Sequence, residues 1–282
     1  MKQFNNSTIP VVFFGSSHFV IPIIESLRKK FDLSLVVTTE KYEHNAVPFY
    51  CTQNNIEYIS VSNLSDKTIR YTLYAIRCDV AVLAYFGLIL PQNILDIFPK
   101  GIINVHPSLL PKYRGSTPGQ AAILNGDTTT GVTIIKLDKN VDHGPILVQK
   151  EEKILPSDTS ETLYTRLFGI GAQLLEENLP QYIEGKLQLQ EQDHTNATYT
   201  DHLTRQSGYF DINNPPSSDK LESMIRAYYP WPGVWATIRV KNKDLRIKIL
   251  PEKKLQVEGK KPVNYKDFFN GYPEAKQILG KL

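Results

Sequence analysis

Ile9-Pro10-Val11-Val12-Phe13-Phe14-Gly15-Ser16-Ser17 is an apolar run that breaks on a glycine and two serines. Downstream, Phe19, Val20, Ile23, Ile24 and Leu27 recur at helical intervals, and Arg28, Lys29 and Lys30 close that segment. Residues 33–37 form a second apolar run. Strand, turn, helix, strand is the opening of a doubly wound α/β sheet. The pattern predicts further short strands at 56–61, 79–84 and 101–105, with a helix over 66–77. Residues 131–136 and 146–149 read as a strand pair separated by a polar loop. Leu163, Leu167, Ile170, Leu174, Leu175 and Leu179 predict a helix over 160–183, started by the capping residues Ser157-Asp158-Thr159.

After residue 187 the pattern changes. Residues 188–205 are polar and irregular and read as a linker between a catalytic domain (1–187) and a small C-terminal domain (206–282). A short helix at 221–229 stops on Pro230-Trp231-Pro232-Gly233, and 234–240 with 245–250 predict a β-hairpin turning at 241–244.

Length and composition agree with two folded domains. The 282 residues are 41% hydrophobic and 22% charged, which argues against a disordered chain. Apolar runs such as 80–90 are too short to span a bilayer, and 1–10 lacks the apolar stretch of a signal peptide. Cys51 and Cys78 have no metal or redox spacing, so the chain is expected in a reducing cytoplasm. The net charge of +3 hides an asymmetry: residues 235–282 hold twelve Lys and Arg against five Asp and Glu. A basic tail on a slightly acidic body suits a polyanionic partner, or is simply a solvated lysine-rich surface.

Three segments have the residue types for chemistry. The Gly15-Ser16-Ser17 turn lies where phosphates often bind, yet it lacks a G-x-G-x-x-G pattern, and a tight strand-to-helix turn is the better reading. Asn104-Val105-His106-Pro107-Ser108 ends a strand at the sheet edge where α/β folds place ligands. Residues 104 and 106 lie two apart on an extended chain, so their side chains share a face. An amide donor beside an imidazole suits a carbonyl whose oxygen gains negative charge. The following loop, with Ser108, Leu109, Leu110, Pro111, Arg114 and Gly115, presents an exposed-looking leucine pair. The polar loop from Lys136 to Pro145 supplies Asp138 and Asp142, either of which is singly an ordinary turn residue. A carboxylate from it would orient His106, while His143 is expected at the surface.

In order and spacing, these segments resemble the folate-dependent formyltransferase family, as does Ala84-Tyr85-Phe86-Gly87-Leu88-Ile89-Leu90-Pro91 ahead of them. The likeness runs from Phe13 to about Glu274 and implies a Rossmann-like catalytic domain with 10-formyltetrahydrofolate as formyl donor. It implies Asn104, His106 and Asp142 as the catalytic trio and Ser108, Leu109, Leu110 and Pro111 as the folate loop. The pterin ring is expected among Leu88, Leu90 and the turn holding Asp138 and Val141. The resemblance implies no metal.

Within the family, Phe13-Phe14-Gly15 with Phe19, the stretch from Arg226 to Gly233 and that from Glu258 to Phe268 resemble members whose acceptor is initiator methionyl-tRNA. That tRNA is the partner implied, and the C-terminal domain implied is a shortened oligonucleotide-binding-type barrel. Two departures stand out. The segment 38–45 is shorter than the Gly- and Lys-rich loop that grips the acceptor end in such members, and Leu250 runs almost directly into the closing segment, as if strands were missing. An amino-sugar nucleotide is the alternative acceptor. Hydrolysis to formate is a third reading, and a non-catalytic RNA-binding protein is the reading from another class.

Overall fold

Pro10–Gly15 forms strand β1, with Val11 to Phe14 fully enclosed. Helix α1 (Ile21–Lys30) follows a single 3-10 turn at His18–Val20. An unbroken apolar run is what a parallel strand covered on both faces requires. The computed structural model describes residues 9–40 and 45–280; residues 1–8 of the expected polar start and 41–44 of the shortened loop lie outside them. Strands β2 (Asp32–Thr39), β3 (Tyr58–Val61), β4 (Val80–Ala84) and β5 (Gly101–His106) continue the series. Helices α2 (Ala46–Gln53), α3 (Lys67–Ile76) and α4 (Gln92–Leu95) intervene. After α5 (Pro118–Leu124), β6 (Thr129–Lys136) and β7 (Ile146–Lys153) complete a seven-stranded sheet in the order β3-β2-β1-β4-β5-β6-β7. β1 pairs in parallel with β2 and β4, and β4 with β5, whereas β6 runs antiparallel to β5.

The chain divides into two compact units. One takes residues up to Ser116 with Thr130–Glu152 and Tyr164–Tyr199; the other takes Thr117–Thr129, Lys153–Leu163 and Thr200–Leu282. In the first, Val12 and Phe14 of β1, Leu35 and Val37 of β2, Ala81 of β4 and Ile102 of β5 pack with Ile69 and Leu73 of α3. Burying each large side chain stabilises by about 1.5–3 kcal/mol, so this layer fixes where the strand ends fall. Helix α6 (Ser160–Ile183) has the expected bounds. Of the stretch read as a linker, 188–199 belongs to the first unit, where Gln190 bridges to Ile146 and Tyr199 to Arg114, and 200–205 to the second. Polar composition is no guide here, because the one buried polar residue of the stretch, Gln192, ties it to Arg114, Asp142 and Gly144.

In the second unit, α7 (Ser218–Ala227), capped by Ser217, packs on α5. β8 (Val234–Val240) and β9 (Lys243–Leu250) form the expected hairpin, turning on Lys241 and Asn242, both at positive φ. The small C-terminal domain is β-rich and short, as expected. β10 (Lys254–Val257) and β11 (Val263–Asn264) follow β9 in an antiparallel meander ordered β11-β10-β9-β8. They are short and lysine-flanked, which masks strand periodicity. α8 (Tyr265–Gly271) and α9 (Ala275–Leu279) close the chain. Among the described residues, no helix is long and apolar enough to cross a membrane.

Candidate functional site

Asn104 and His106 point to one side of β5 at its carboxyl end, and the turn after β6 brings Asp142 to them. The three side chains are 6%, 4% and 9% exposed. Asn104 Nδ2 donates to Asp142 Oδ1 at 3.1 Å. The other carboxylate oxygen accepts from the Gly115 N–H at 2.8 Å and lies 3.5 Å from His106 Nδ1. His106 Nε2 is 2.9 Å from the Tyr113 carbonyl oxygen, which can only accept, so Nε2 carries a proton. The ring is therefore anchored by a backbone carbonyl. Its Nδ1 faces Asp142 Oδ2 at 3.5 Å, beyond the 2.7–3.2 Å typical of an N–H···O bond, so the two groups are close without a made hydrogen bond.

Backbone geometry holds the carboxylate in place. Asp142 has φ 48°, a left-handed conformation uncommon for a residue with a side chain. Two residues on, a Cβ built at Gly144 would lie 1.9 Å from the Lys136 carbonyl oxygen, so only glycine lets the turn close on the end of β6. Gln192 Nε2 then donates to the carbonyls of Asp142 (2.9 Å) and Gly144 (2.7 Å). Arg114, 1% exposed, donates through one terminal nitrogen to Gln192 Oε1 (2.7 Å) and His194 Nδ1 (2.8 Å), and through the other to the Tyr199 hydroxyl (3.2 Å). Nothing in the sequence pattern singles out Gln192, His194 or Tyr199, because they lie in the irregular stretch.

The loop after β5 is folded tightly. Ser108 is fully buried, its hydroxyl donating to the Lys112 carbonyl and its own carbonyl accepting from Thr133 Oγ1. The leucine pair is not exposed as a pair. Leu110 is buried, because its N–H bonds to Thr133 and its carbonyl accepts from Gln149, whereas Leu109 is half-buried. Pro111 is half-buried and follows a cis peptide bond. Leu88, Leu90 and Leu137 lie half-buried along the edge of the apolar layer. Val141 is 53% exposed beside buried Asp142. His143 is half-buried and partnered: its Nδ1 lies 2.6 Å from Asp138 Oδ2, and its ring stacks on the exposed His194 at 3.9 Å. The Gly15-Ser16-Ser17 turn is filled by its own neighbours. Ser16 Oγ lies 3.1 and 3.0 Å from the Thr38 and Thr39 hydroxyls, and Asn45 accepts from the Ser17 N–H.

An amide, an imidazole and a carboxylate thus meet at a strand end, next to a rim of half-buried leucines. Such a set suits stabilising a developing oxyanion and moving one proton.

Residues 11–179 match the formyl transferase family. The methionyl-tRNA formyltransferase of Chloroflexus aurantiacus is 38% identical over 80% of this chain and 75% of its own length. That of Koribacter versatilis is 33% identical over 96% of this chain and 99% of its own length. Among solved structures, a 4-N formyltransferase from Francisella tularensis superposes with a TM-score of 0.69 over 87% of this chain and 98% of its own, at 18% identity, a likeness of fold alone. By the extent of the family match and by these identities, the chain belongs to the formyl transferase family.

Proposed function

We propose that this protein transfers the formyl group of 10-formyltetrahydrofolate to the free amino group of initiator methionyl-tRNA, in the cytoplasm, for translation initiation. The observation that carries the reading is the end-to-end likeness to the Koribacter protein, which takes in the C-terminal unit as well as the sheet. The short segment between Thr39 and Asn45 favours an amino-sugar nucleotide as the alternative acceptor, since less chain is present there to hold a tRNA end.

In this reading Asn104, His106 and Asp142 are the catalytic residues. Ser108, Leu109, Leu110, Pro111, Leu88, Leu90, Asp138 and Val141 receive the folate, with apolar side chains against the ring's face and backbone groups of the 138–142 turn at its polar edge. The neutral amine attacks the formyl carbon, and the carbonyl oxygen becomes an oxyanion. Asn104 spends one N–H on Asp142 and gives its second to that oxyanion; His106, protonated on Nδ1, gives the other bond. The attacking nitrogen loses its proton toward Asp142 through water. As the tetrahedral intermediate collapses, the bond from carbon to the folate nitrogen breaks, and a proton returns to that nitrogen.

A feature of the second unit supports a polyanionic acceptor. A groove of about 1750 Å³ is lined by Arg226, Lys253, Lys254, Lys261 and Lys266, against Glu222 and Glu252. Affinity for a nucleic-acid backbone is largely electrostatic. Purified protein given labelled 10-formyltetrahydrofolate and either methionyl-tRNA or an amino-sugar nucleotide tests the proposal. Formylmethionyl-tRNA is the expected product. Transfer to the sugar alone replaces the acceptor, and transfer to neither refutes the reading.

A further inference from the structure

We propose that Gln192 is a positioning residue for formyl transfer, acting on Asp142 from behind and itself aligned by Arg114; this rests on the catalytic reading above. The Gln192 side-chain amide bonds to the backbone of the Asp142 turn and to Arg114. Its Nε2 carries two N–H groups, and the two acceptors within reach are the carbonyls of Asp142 and Gly144, on either side of His143. Its Oε1 receives the Arg114 guanidinium. A guanidinium can only donate, so the amide cannot turn over: oxygen faces Arg114 and nitrogen faces the turn. All three polar positions of the Gln192 side chain are used, in a place where it is only 5% exposed.

The clamp acts on the part of the chain whose placement is least secure by itself. Asp142 sits at positive φ, and its side chain must reach Asn104, Gly115 and His106 together. A turn pulled by two hydrogen bonds on its outer side holds that conformation; a turn without them relaxes and takes the carboxylate with it. Groups that orient metal-ligating side chains without touching substrate typically matter by about 10–100-fold, and a clamp on a carboxylate is expected to act on the same scale. Arg114 extends the device. Its backbone N–H donates to the Thr198 carbonyl while its guanidinium meets Gln192, His194 and Tyr199, so one buried cation ties the loop after β5 to residues 192–199.

The test uses the full chain with Gln192→Met, which keeps length and loses every hydrogen bond, and Gln192→Glu, which keeps the Arg114 contact but has no N–H for the carbonyls. Each is expected to lower kcat by about 10–100-fold while KM for the formyl donor stays within about threefold. In an Asp142→Asn background, Gln192→Met is expected to cost less than about threefold more, because both changes act through one carboxylate. A residue that merely supports the fold would instead give additive losses and a lowered Tm. The clamp is also read without turnover. The Gly115 amide, which donates to Asp142 Oδ2, should lose hydrogen-exchange protection in both variants while the amides of β1 and β4 keep theirs. Wild-type kcat together with undiminished Gly115 protection in either folded variant overturns the clamp. Should the wild-type chain transfer no formyl group, the functional reading fails, and Gly115 exchange alone still decides the clamp.

Discussion

The end of β5 and the lysine-lined groove of the second unit are both polar, but they are specified in opposite ways. Asn104, His106 and Asp142 are nearly sealed from solvent, and each makes hydrogen bonds of defined direction to a neighbour. In such surroundings a buried polar group without its partner costs about 1–3 kcal/mol, so the arrangement tolerates little error. The groove's Lys253, Lys254 and Lys261 are exposed, on long side chains. There, charge is screened within about 10 Å at 0.1 M salt, and no single position needs to be exact to an ångström. On the proposed function, reactivity is thereby placed in geometry, and affinity for a charged acceptor in summed electrostatics.

Substitutions sort along that difference. His106→Ala is expected to have the largest effect, a loss of about 10²–10⁴-fold in single-turnover formyl transfer with donor binding retained. Near-normal turnover would break the assignment of the buried site. Asn104→Ala should cost about 10²–10³-fold in kcat, as removal of one oxyanion donor does. Gly144→Ala forces the turn away from the Lys136 carbonyl, and a displacement near 1 Å is expected to cost about 10²-fold in kcat without unfolding the chain. Thermal melting alongside kinetics separates those two outcomes. Replacing Lys253, Lys254, Lys260 and Lys261 together with alanine should raise KM for methionyl-tRNA and leave kcat within about twofold. The salt dependence of binding should become shallower by roughly 0.7–0.9 in log–log slope for each lysine–phosphate pairing removed. An unchanged slope removes the groove from acceptor binding. Lys254→Ala alone should change little, since this exposed lysine already bonds to Glu252 at 2.7 Å and surface pairs contribute weakly.

The same difference governs what can be read without coordinates. β1, α1, α6 and β8 are legible because apolar periodicity reports a buried face, and burial is their function in the fold. Asn104 and His106 are legible as a pair because period two puts them on one side of a strand. The convergence of Asp142 on them depends on its bond to Asn104 and on the Gln192 clamp, interactions spanning 38 to 50 positions that leave no local trace. The inward turn of Leu110, bonded by Thr133 and Gln149, and the stacking of His143 on His194 escape the pattern for the same reason: partners distant in sequence override what composition suggests. β10 and β11 escape it because four- and two-residue strands among lysines have too short a period to show.

The second compact unit draws residues Thr117–Thr129 and Lys153–Leu163 from the middle of the chain, and α5 from the first of these packs on α7. The two units therefore cannot be parted by one scission. A ribosome that has released only the first two hundred residues has already emitted α5 without the helix that covers it, and the second unit waits for the last of the chain before it can assemble. Its heredity is constrained in the same way: gene fusion or exon shuffling that swaps the C-terminal portion for another would leave α5 with a foreign neighbour, so the tail is bound to evolve in place with the segments it covers.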